Sequence, residues 1–312
     1  MGERCVRIAE VGGSNPPIST LRSEKIRALF ILISIYLLTL MAALGAGYFM
    51  RGQQPLLIAF YADIIATIVV FVFSLIFNNS SIYDPYWSVA PVPIAIYWAL
   101  NSHSTHIVFR KILVLLLLLI WATRLTYNCL SRWQSIKNED WRYAEKRKNV
   151  GRLYWLLSFW GFHIFPTVLV FLGCLSLYPA LITGANRISL LDAVGLIIGL
   201  AGIYIEAKSD NELKKFKMRR KQPEDNIDEG IWKYSRHPNY FGEVLFWWTL
   251  YIFAIAADLS YWWMIIGPCS ITLLFVFISI PMMDGYLLKK KKGYMQYMEK
   301  VPSLIPWPLH KD

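Results

Sequence analysis

Residues 230–243, Gly-Ile-Trp-Lys-Tyr-Ser-Arg-His-Pro-Asn-Tyr-Phe-Gly-Glu, close a highly charged stretch and open a strongly apolar one, which puts Arg236, His237, Asn239 and Glu243 at a membrane boundary. Pro238 suits the first turn of a helix, where its missing N–H costs nothing. Asn239 and Glu243 then fall one helical turn apart on the same face. A cation pair, a helix start and two hydrogen-bonding side chains converge in this segment. The chemistry they fit is capture of an anion or cofactor at the mouth of a membrane enzyme, because helix starts favour phosphate and intramembrane ionisable groups need partners.

The elements that must position these groups are set by composition. Of 312 residues, 56% are hydrophobic, 15% aromatic and only 17% charged, and the mean hydropathy is +0.40. Uninterrupted apolar runs such as 112–122 and 273–280 exceed what a soluble core needs. The expected fold is all-α, a polytopic transmembrane helical bundle. Applying roughly 20 apolar residues per span gives candidates near 26–50, 56–77, 87–101, 107–130, 153–182, 190–208, 239–258 and 261–283, about eight in all. The third is short and carries Pro91 and Pro93, and the fifth is long enough to be interrupted at Pro166. Residues 1–25, with Gly12, Gly13, Pro16 and Pro17, are expected to be a disordered segment without a cleavable signal or a myristoylation pattern. Residues 26–312 are expected to form one integral membrane domain.

The 32 Lys and Arg residues set the orientation. Loop 131–152 holds seven, loop 208–237 nine, the tail 286–312 six and the N-terminal segment through Arg27 five. By the positive-inside rule these four segments share the cytoplasmic side, which eight spans satisfy, with both termini cytoplasmic. The net charge of +11 is therefore a topology signal with some attraction to anionic lipids. Nucleic acid is not an expected partner, since the charges sit on short loops. The placement is an integral multi-pass protein of a cytoplasmic or inner membrane, its site facing the cytoplasm.

Cys5, Cys129, Cys174 and Cys269 are scattered, with no Cys-x-x-Cys pair, which points to packing residues rather than a disulfide framework or a metal cage. His103 and His106 have a metal-compatible spacing but no carboxylate or thiol beside them, so no metal is expected. His163 reads as a packed or interfacial histidine. No Ser-His-Asp set, Walker loop or Gly-x-Gly fingerprint occurs.

Further polar groups gather at the cytoplasmic ends of the spans. Arg124, Asn128 and Arg132 recur every fourth residue and make one polar face, suited to phosphate. Snorkelling explains Arg132 alone but not Arg124, one to two turns deeper. Asp210, Lys214 and Lys217 share a face after the sixth span, where a solvated helix with an i,i+4 ion pair is the plain alternative. Asp84, Pro85, Tyr86 and Trp87 lie between spans two and three. Tyr294 and Tyr297 precede a tail too rich in proline to be helical and expected to lie along the membrane surface.

With these residues placed, the chain resembles the membrane reductase superfamily that contains steroid 5α-reductases and sterol C14-reductases, and within it a bacterial-type, DUF1295-like branch of unknown function. The resemblance runs over about residues 80–306. It rests on Ser81-Ile-Tyr-Asp84-Pro-Tyr-Trp87, Arg124-Leu-Thr-Tyr-Asn128, Glu139-Asp-Trp-Arg-Tyr143, Asp210 with its trailing cations, Tyr234-Ser-Arg-His-Pro-Asn-Tyr-Phe-Gly-Glu243 and the Tyr297…Pro306 ending. It implies a nicotinamide cofactor, NADPH, and hydride transfer to an activated C=C bond of a steroid-like or other lipid-soluble substrate. Carried over by residue, it implies cofactor contacts at Arg132, Asp210, Lys217, Asn239, Glu243 and Tyr297, and Arg124, Asn128, Lys214, Arg236, His237 and Tyr240, beside them on the same faces and in the same string, are candidates for the same site. The Glu and Tyr that polarise the enone carbonyl in 5α-reductases have no secure counterparts; Asp84 and Tyr86 are the candidates by location. The reaction itself needs a hydride donor, an acid and exclusion of water, and either Asp84 or a Tyr hydroxyl could be the acid.

A membrane methyltransferase of the isoprenylcysteine or phospholipid type, using S-adenosylmethionine, is the competing reading. Those families share the Arg-His-Pro-x-Tyr-x-Gly helix start, and Gly293-Tyr-Met-Gln-Tyr297 fits their ending, but their paired Glu-Glu is here Met283-Asp284. A third class, a non-enzymatic lipid-binding or scaffold protein, predicts that alanine at Arg124, Asn239 or Glu243 changes neither ligand retention nor stability. Substrate identity and oligomeric state are not encoded in these motifs.

Overall fold

The computed structural model describes residues 18–102 and 108–307, and no strand occurs among the described residues. In chain order its helices are α1 (Ile18–Phe49), α2 (Pro55–Ile76), α3 (Pro91–Leu100), α4 (Val108–Ser131), α5 (Trp141–Thr183), α6 (Leu190–Arg219), α7 (Pro238–Ala257), α8 (Leu259–Lys290) and α9 (Tyr294–Lys300). Among the described residues six, namely α1 over Ser23–Phe49 with α2, α5, α6, α7 and α8, are long and apolar enough to cross a bilayer. The chain is an integral, multi-pass membrane protein. Phe30, Ile33, Leu37, Met41 and Leu44 of α1 are exposed, as lipid-facing residues are. His103, His106 and most of the expected disordered segment lie outside the described residues.

Residues 18–102 and 118–171 make one compact unit, here the N-terminal unit, and residues 108–117 and 172–307 the other. Helices α4 and α5 each run from one unit into the other.

In the N-terminal unit α1 turns back through Gly52, at φ +91°, into α2, which opens on Pro55. The faces they bury are partly small, Ala28 of α1 and Ala66 of α2, and room is left for Ile82, Tyr83, Tyr86 and Trp133 in the same core. The segment expected to be a span over 87–101 divides into a turn at Tyr86–Val89 and the ten-residue α3. Pro91 cannot donate to a preceding turn and restarts the helix, and ten residues rise only about 15 Å, half the hydrocarbon thickness.

Helix α5 is interrupted, as expected, but upstream of its proline. Residues Tyr154–Leu157 are α-helical, Ser158–Ile164 wind as a wider π-helix, and the α-helix resumes at Phe165. Pro166 lacks the N–H that the Phe162 carbonyl would accept, and the wider turn absorbs that defect. The same device recurs in α8, where the π segment Phe275–Ser279 ends two residues before Pro281.

In the C-terminal unit α6 begins with a reciprocal capping box between Ser189 and Asp192. Its glycines let α7 come unusually close: a Cβ on Gly202 would lie 2.8 Å from the Gly242 carbonyl, and one on Gly242 would lie 2.5 Å from the Gly202 carbonyl.

Candidate functional site

The Arg-His-Pro-Asn string folds as its residue types dictate. His237 is the last residue before α7, Pro238 opens the helix, and Asn239, Tyr240 and Glu243 are buried on its first turns. His237 Nε2 lies 2.8 Å from Asp284 Oδ1, and the same oxygen accepts a 2.6 Å hydrogen bond from Tyr294 Oη. Arg236 Nη2 stands 3.4 Å from Asp284 Oδ2. One buried carboxylate of α8 thus holds both basic residues of the string. The imidazole also stacks on Tyr240, with centroids 5.1 Å apart and planes within 9°.

The tail fixes this loop from the other side. Tyr297 Oη donates to the Trp232 carbonyl at 2.5 Å, Ser235 Oγ to the Leu304 carbonyl at 2.8 Å, and the Arg236 and Trp307 amides bond to Pro302 and Tyr234. The tail is non-helical from Val301, as expected, and its role is to clamp residues 232–236. Helix α6 holds the same loop through its Ser209 carbonyl, which accepts from Trp232 Nε1, and Glu212 Oε2, which accepts from the Ile231 amide. Beside them on α6 are half-buried Asp210 and Lys217 and exposed Lys214. Arg236, His237, Asn239, Tyr240, Glu243 and Tyr297 are therefore gathered around one loop and helix start, with Asp210, Lys214 and Lys217 on the helix to which that loop is tied.

Two atoms here are buried without a hydrogen-bond partner, Asn239 Oδ1 and Arg236 Nε. Leaving such groups unsatisfied costs about 1–3 kcal/mol each, which is tolerated where a ligand completes them. An acceptor and a cation at a helix start fit a nicotinamide cofactor that bears an amide and phosphates. Glu243 is engaged locally, accepting from Trp247 Nε1 at 3.1 Å.

The remaining expected residues belong to the N-terminal unit. Arg124 and Asn128 are half-buried on one face of α4, whereas Arg132, expected on the same face, lies in the turn just past its end and folds its Nε back on the Asn128 carbonyl at 2.9 Å. Asp84 and Tyr86, paired in the sequence, face different partners. Asp84 Oδ1 accepts from Arg142 Nη2 at 2.9 Å and from Tyr143 Oη at 2.7 Å, and Arg142 also binds Asp140. The Asp-Pro-Tyr-Trp and Glu-Asp-Trp-Arg-Tyr strings are thus two halves of one latch, which the Asp140 amide bonded to Ser81 Oγ completes. Tyr143→Phe removes one donor from a charged acceptor and is expected to cost about 1.5 kcal/mol. Thermal unfolding in detergent measures this, and an unchanged transition would exclude the latch as a stabilising contact.

Tyr86 instead donates to Asp63 Oδ1 at 2.6 Å. Asp63 lies within α2, and its Oδ2 is buried without a partner. Tyr83 stacks on Tyr86 at 5.3 Å, and its hydroxyl meets Thr167, which in turn meets Thr67. The sequence reading missed Asp63. The available signal was a lone carboxylate in an apolar run, Phe60-Tyr-Ala-Asp63-Ile-Ile-Ala, of the kind that marks function inside a membrane.

Residues 70–301 match the family described as "Protein of unknown function (DUF1295)". The chain is also 23% identical over 283 residues to the "Uncharacterized protein C594.04c" of Schizosaccharomyces pombe, covering 83% of this chain and 81% of that protein. No solved structure matches.

Proposed function

From the premise that the chain belongs to the DUF1295 family, we propose that it is a membrane oxidoreductase that uses a nicotinamide cofactor, NADPH, to reduce an activated C=C bond of a lipid-soluble, steroid-like substrate. The observation that carries this reading is the Tyr86–Asp63 pair, a carboxyl and a phenol 2.6 Å apart in an apolar core. It is the type of pair that the resemblance to enone reductases calls for and that the sequence alone did not locate.

In this reading Asn239, Arg236, His237 and the cations of α6 hold the cofactor. When bound, the cofactor supplies the hydride. Asp63 carries a proton on Oδ2 and hydrogen-bonds the carbonyl oxygen of an enone, where negative charge develops as its β-carbon is reduced. Tyr86 fixes Oδ1 so that Oδ2 is the free donor, and the apolar surroundings exclude water. Asp84, held by Arg142 and Tyr143, anchors the turn that carries Tyr86.

The topology proposed with this function has eight crossings and both termini in the cytoplasm. It adds to the six long helices α4, whose 24 residues rise about 36 Å, and the segment from Tyr86 to Leu100, a short crossing that needs the bilayer to thin around it. The four basic segments then share one side.

The first test is thermal stabilisation of the detergent-purified protein by NADPH, NADH and S-adenosylmethionine. A ligand at 100 times its Kd adds about 2.7 kcal/mol of native stability. NADPH stabilisation that is lost in Asn239→Ala supports the reading, and stabilisation by S-adenosylmethionine alone would replace it with the methyltransferase. Tyr86→Phe and Asp63→Asn are then expected to keep NADPH stabilisation while enone-dependent NADPH oxidation falls about 100-fold. Wild-type turnover in both variants would remove the pair from the reaction.

A further inference from the structure

One face of α6 borders a feature that the chemistry above does not use. A groove of about 230 Å³ lies between Ile205, Ile231, Tyr234, Pro238, Pro306 and Trp307. Every lining residue is apolar or aromatic, and the groove is open-sided, with Tyr234 43% and Trp307 64% exposed. Its volume falls below the roughly 300–1,000 Å³ that encloses a drug-sized ligand. It suits a length of flexible chain laid along the surface.

The two helices that line the groove fix its depth. No charged residue occurs between Asp192 and Glu206, so Ile205 ends the apolar length of α6, and Pro238 is the first residue of α7. Both mark the level at which these helices pass from hydrocarbon to charge. Tyr234 and Trp307 are the amphipathic aromatics favoured at that boundary. What an apolar groove meets at this depth of a membrane protein is the acyl chain of a lipid.

The charges beside the groove complement an anionic headgroup. Lys208 follows Ile205 by three residues and so neighbours it on the helix surface. Its Nζ lies 6.0 Å from the centre of the Tyr204 ring, back along the turn that carries Ile205. Lys233 immediately precedes Tyr234, and both lysines are exposed. The carboxylates at this level are engaged elsewhere: Glu206 is buried toward Gly242 of α7, and Glu212 accepts from the Ile231 amide at 2.9 Å. At about 100° per residue, Ile205 and Lys208 stand on the side of α6 opposite Asp210, Lys214 and Lys217, so the groove is separate from the face assigned to the cofactor.

We propose that this groove binds one acyl chain of an anionic phospholipid, that Lys208 and Lys233 hold its phosphate, and that the bound lipid fastens the tail to the loop of the Arg-His-Pro string. The tail supplies Pro306 and Trp307 and the loop supplies Ile231 and Tyr234, where the Trp307 amide bonds the Tyr234 carbonyl at 3.0 Å. A chain lying between them adds apolar burial to both sides of that contact. The anionic lipid content of the bilayer then sets how firmly residues 231–236 are held.

The full chain, delipidated in a non-ionic detergent and kept free of cofactor, tests the site independently of the reductase reading. Phosphatidylglycerol is expected to raise the unfolding temperature, whereas phosphatidylcholine and soluble glycerol phosphate leave it unchanged. Native mass spectrometry should retain one phosphatidylglycerol per chain. Lys208→Gln with Lys233→Gln removes two cations, each contributing about fivefold in affinity beside an anionic headgroup, and should weaken retention about thirtyfold. Ile205→Trp fills the groove and should abolish the phosphatidylglycerol response. If that variant does not fold, Trp307→Ala, which removes an exposed wall, takes its place with the same expected loss. Equal stabilisation by phosphatidylcholine, or a wild-type response in the double lysine variant or the groove variant, would overturn the site and leave only non-specific solvation by lipid. A response to glycerol phosphate as large as that to phosphatidylglycerol would overturn the acyl chain as occupant.

Discussion

Gly242→Val is expected to abolish recovery of folded protein from detergent extracts. A Cβ at this position would lie 2.5 Å from the Gly202 carbonyl and 2.9 Å from both the backbone nitrogen and the Cβ of Glu206. Two of these neighbours are main chain in the middle of α6 and cannot rotate away. The helices would have to separate, and with them the turns of α7 that carry Asn239 and Glu243. Ordinary overpacking costs about 1–3 kcal/mol where side chains can yield. Gly199 shows that milder case, since its nearest neighbours are the Leu117 and Thr249 methyls, and Gly199→Ala is expected to lower stability by about 1 kcal/mol. Gly285, with nothing within 4 Å, is the control, and alanine there should be neutral or stabilising. Size-exclusion profiles of the three variants decide the matter; a monodisperse, NADPH-stabilised Gly242→Val protein would refute the close seam.

Arg110→Ala is the second large effect. The guanidinium is 1% exposed and bonds Asp192 through Nε at 2.5 Å and Nη2 at 2.9 Å. It also donates to the carbonyls of Asn186, Arg187 and Ala256, at the start of α6 and the end of α7. Removing it takes the buried cation from Asp192, which keeps only its Ser189 cap, and one donor from each of three carbonyls, for an expected loss of about 3–5 kcal/mol. Replacing both partners, Arg110→Met with Asp192→Leu, removes the stranded charge and should restore part of that loss. Chemical unfolding of single and double variants measures the coupling. If the single variant unfolds within 1 kcal/mol of wild type, the pair is not the staple described.

How much of this was legible in the sequence depends on the kind of signal. The helix start at Pro238, with Asn239 and Glu243 buried behind it, was readable because proline, charge and hydropathy change together within a few residues. The cation pair of the loop was readable too, but its partner Asp284 was not, since it lies 47 residues on from His237. Asp63 was passed over because the reading weighted clusters at helix ends, and a single carboxylate disturbs the mean of a 22-residue apolar run very little. His163 was read correctly as packed, yet its contacts with Ser74 and Ser158 were hidden: an interval of five residues has no meaning in a 3.6-residue period. The Asp84–Arg142 latch joins strings 58 residues apart, and proximity of that kind is fixed by tertiary packing alone.

The π turn in α5 also sets how this helix would respond to the smallest possible edit of its gene. It holds one residue more than the α turn it replaces, so loss of a single codon within 159–162 would return the helix to a regular winding. Tyr154, Ser158, His163 and Thr167 would then stand four residues apart throughout and would still share one face. The extra residue is an insertion absorbed in place, which the helix can lose without turning either half against its neighbours.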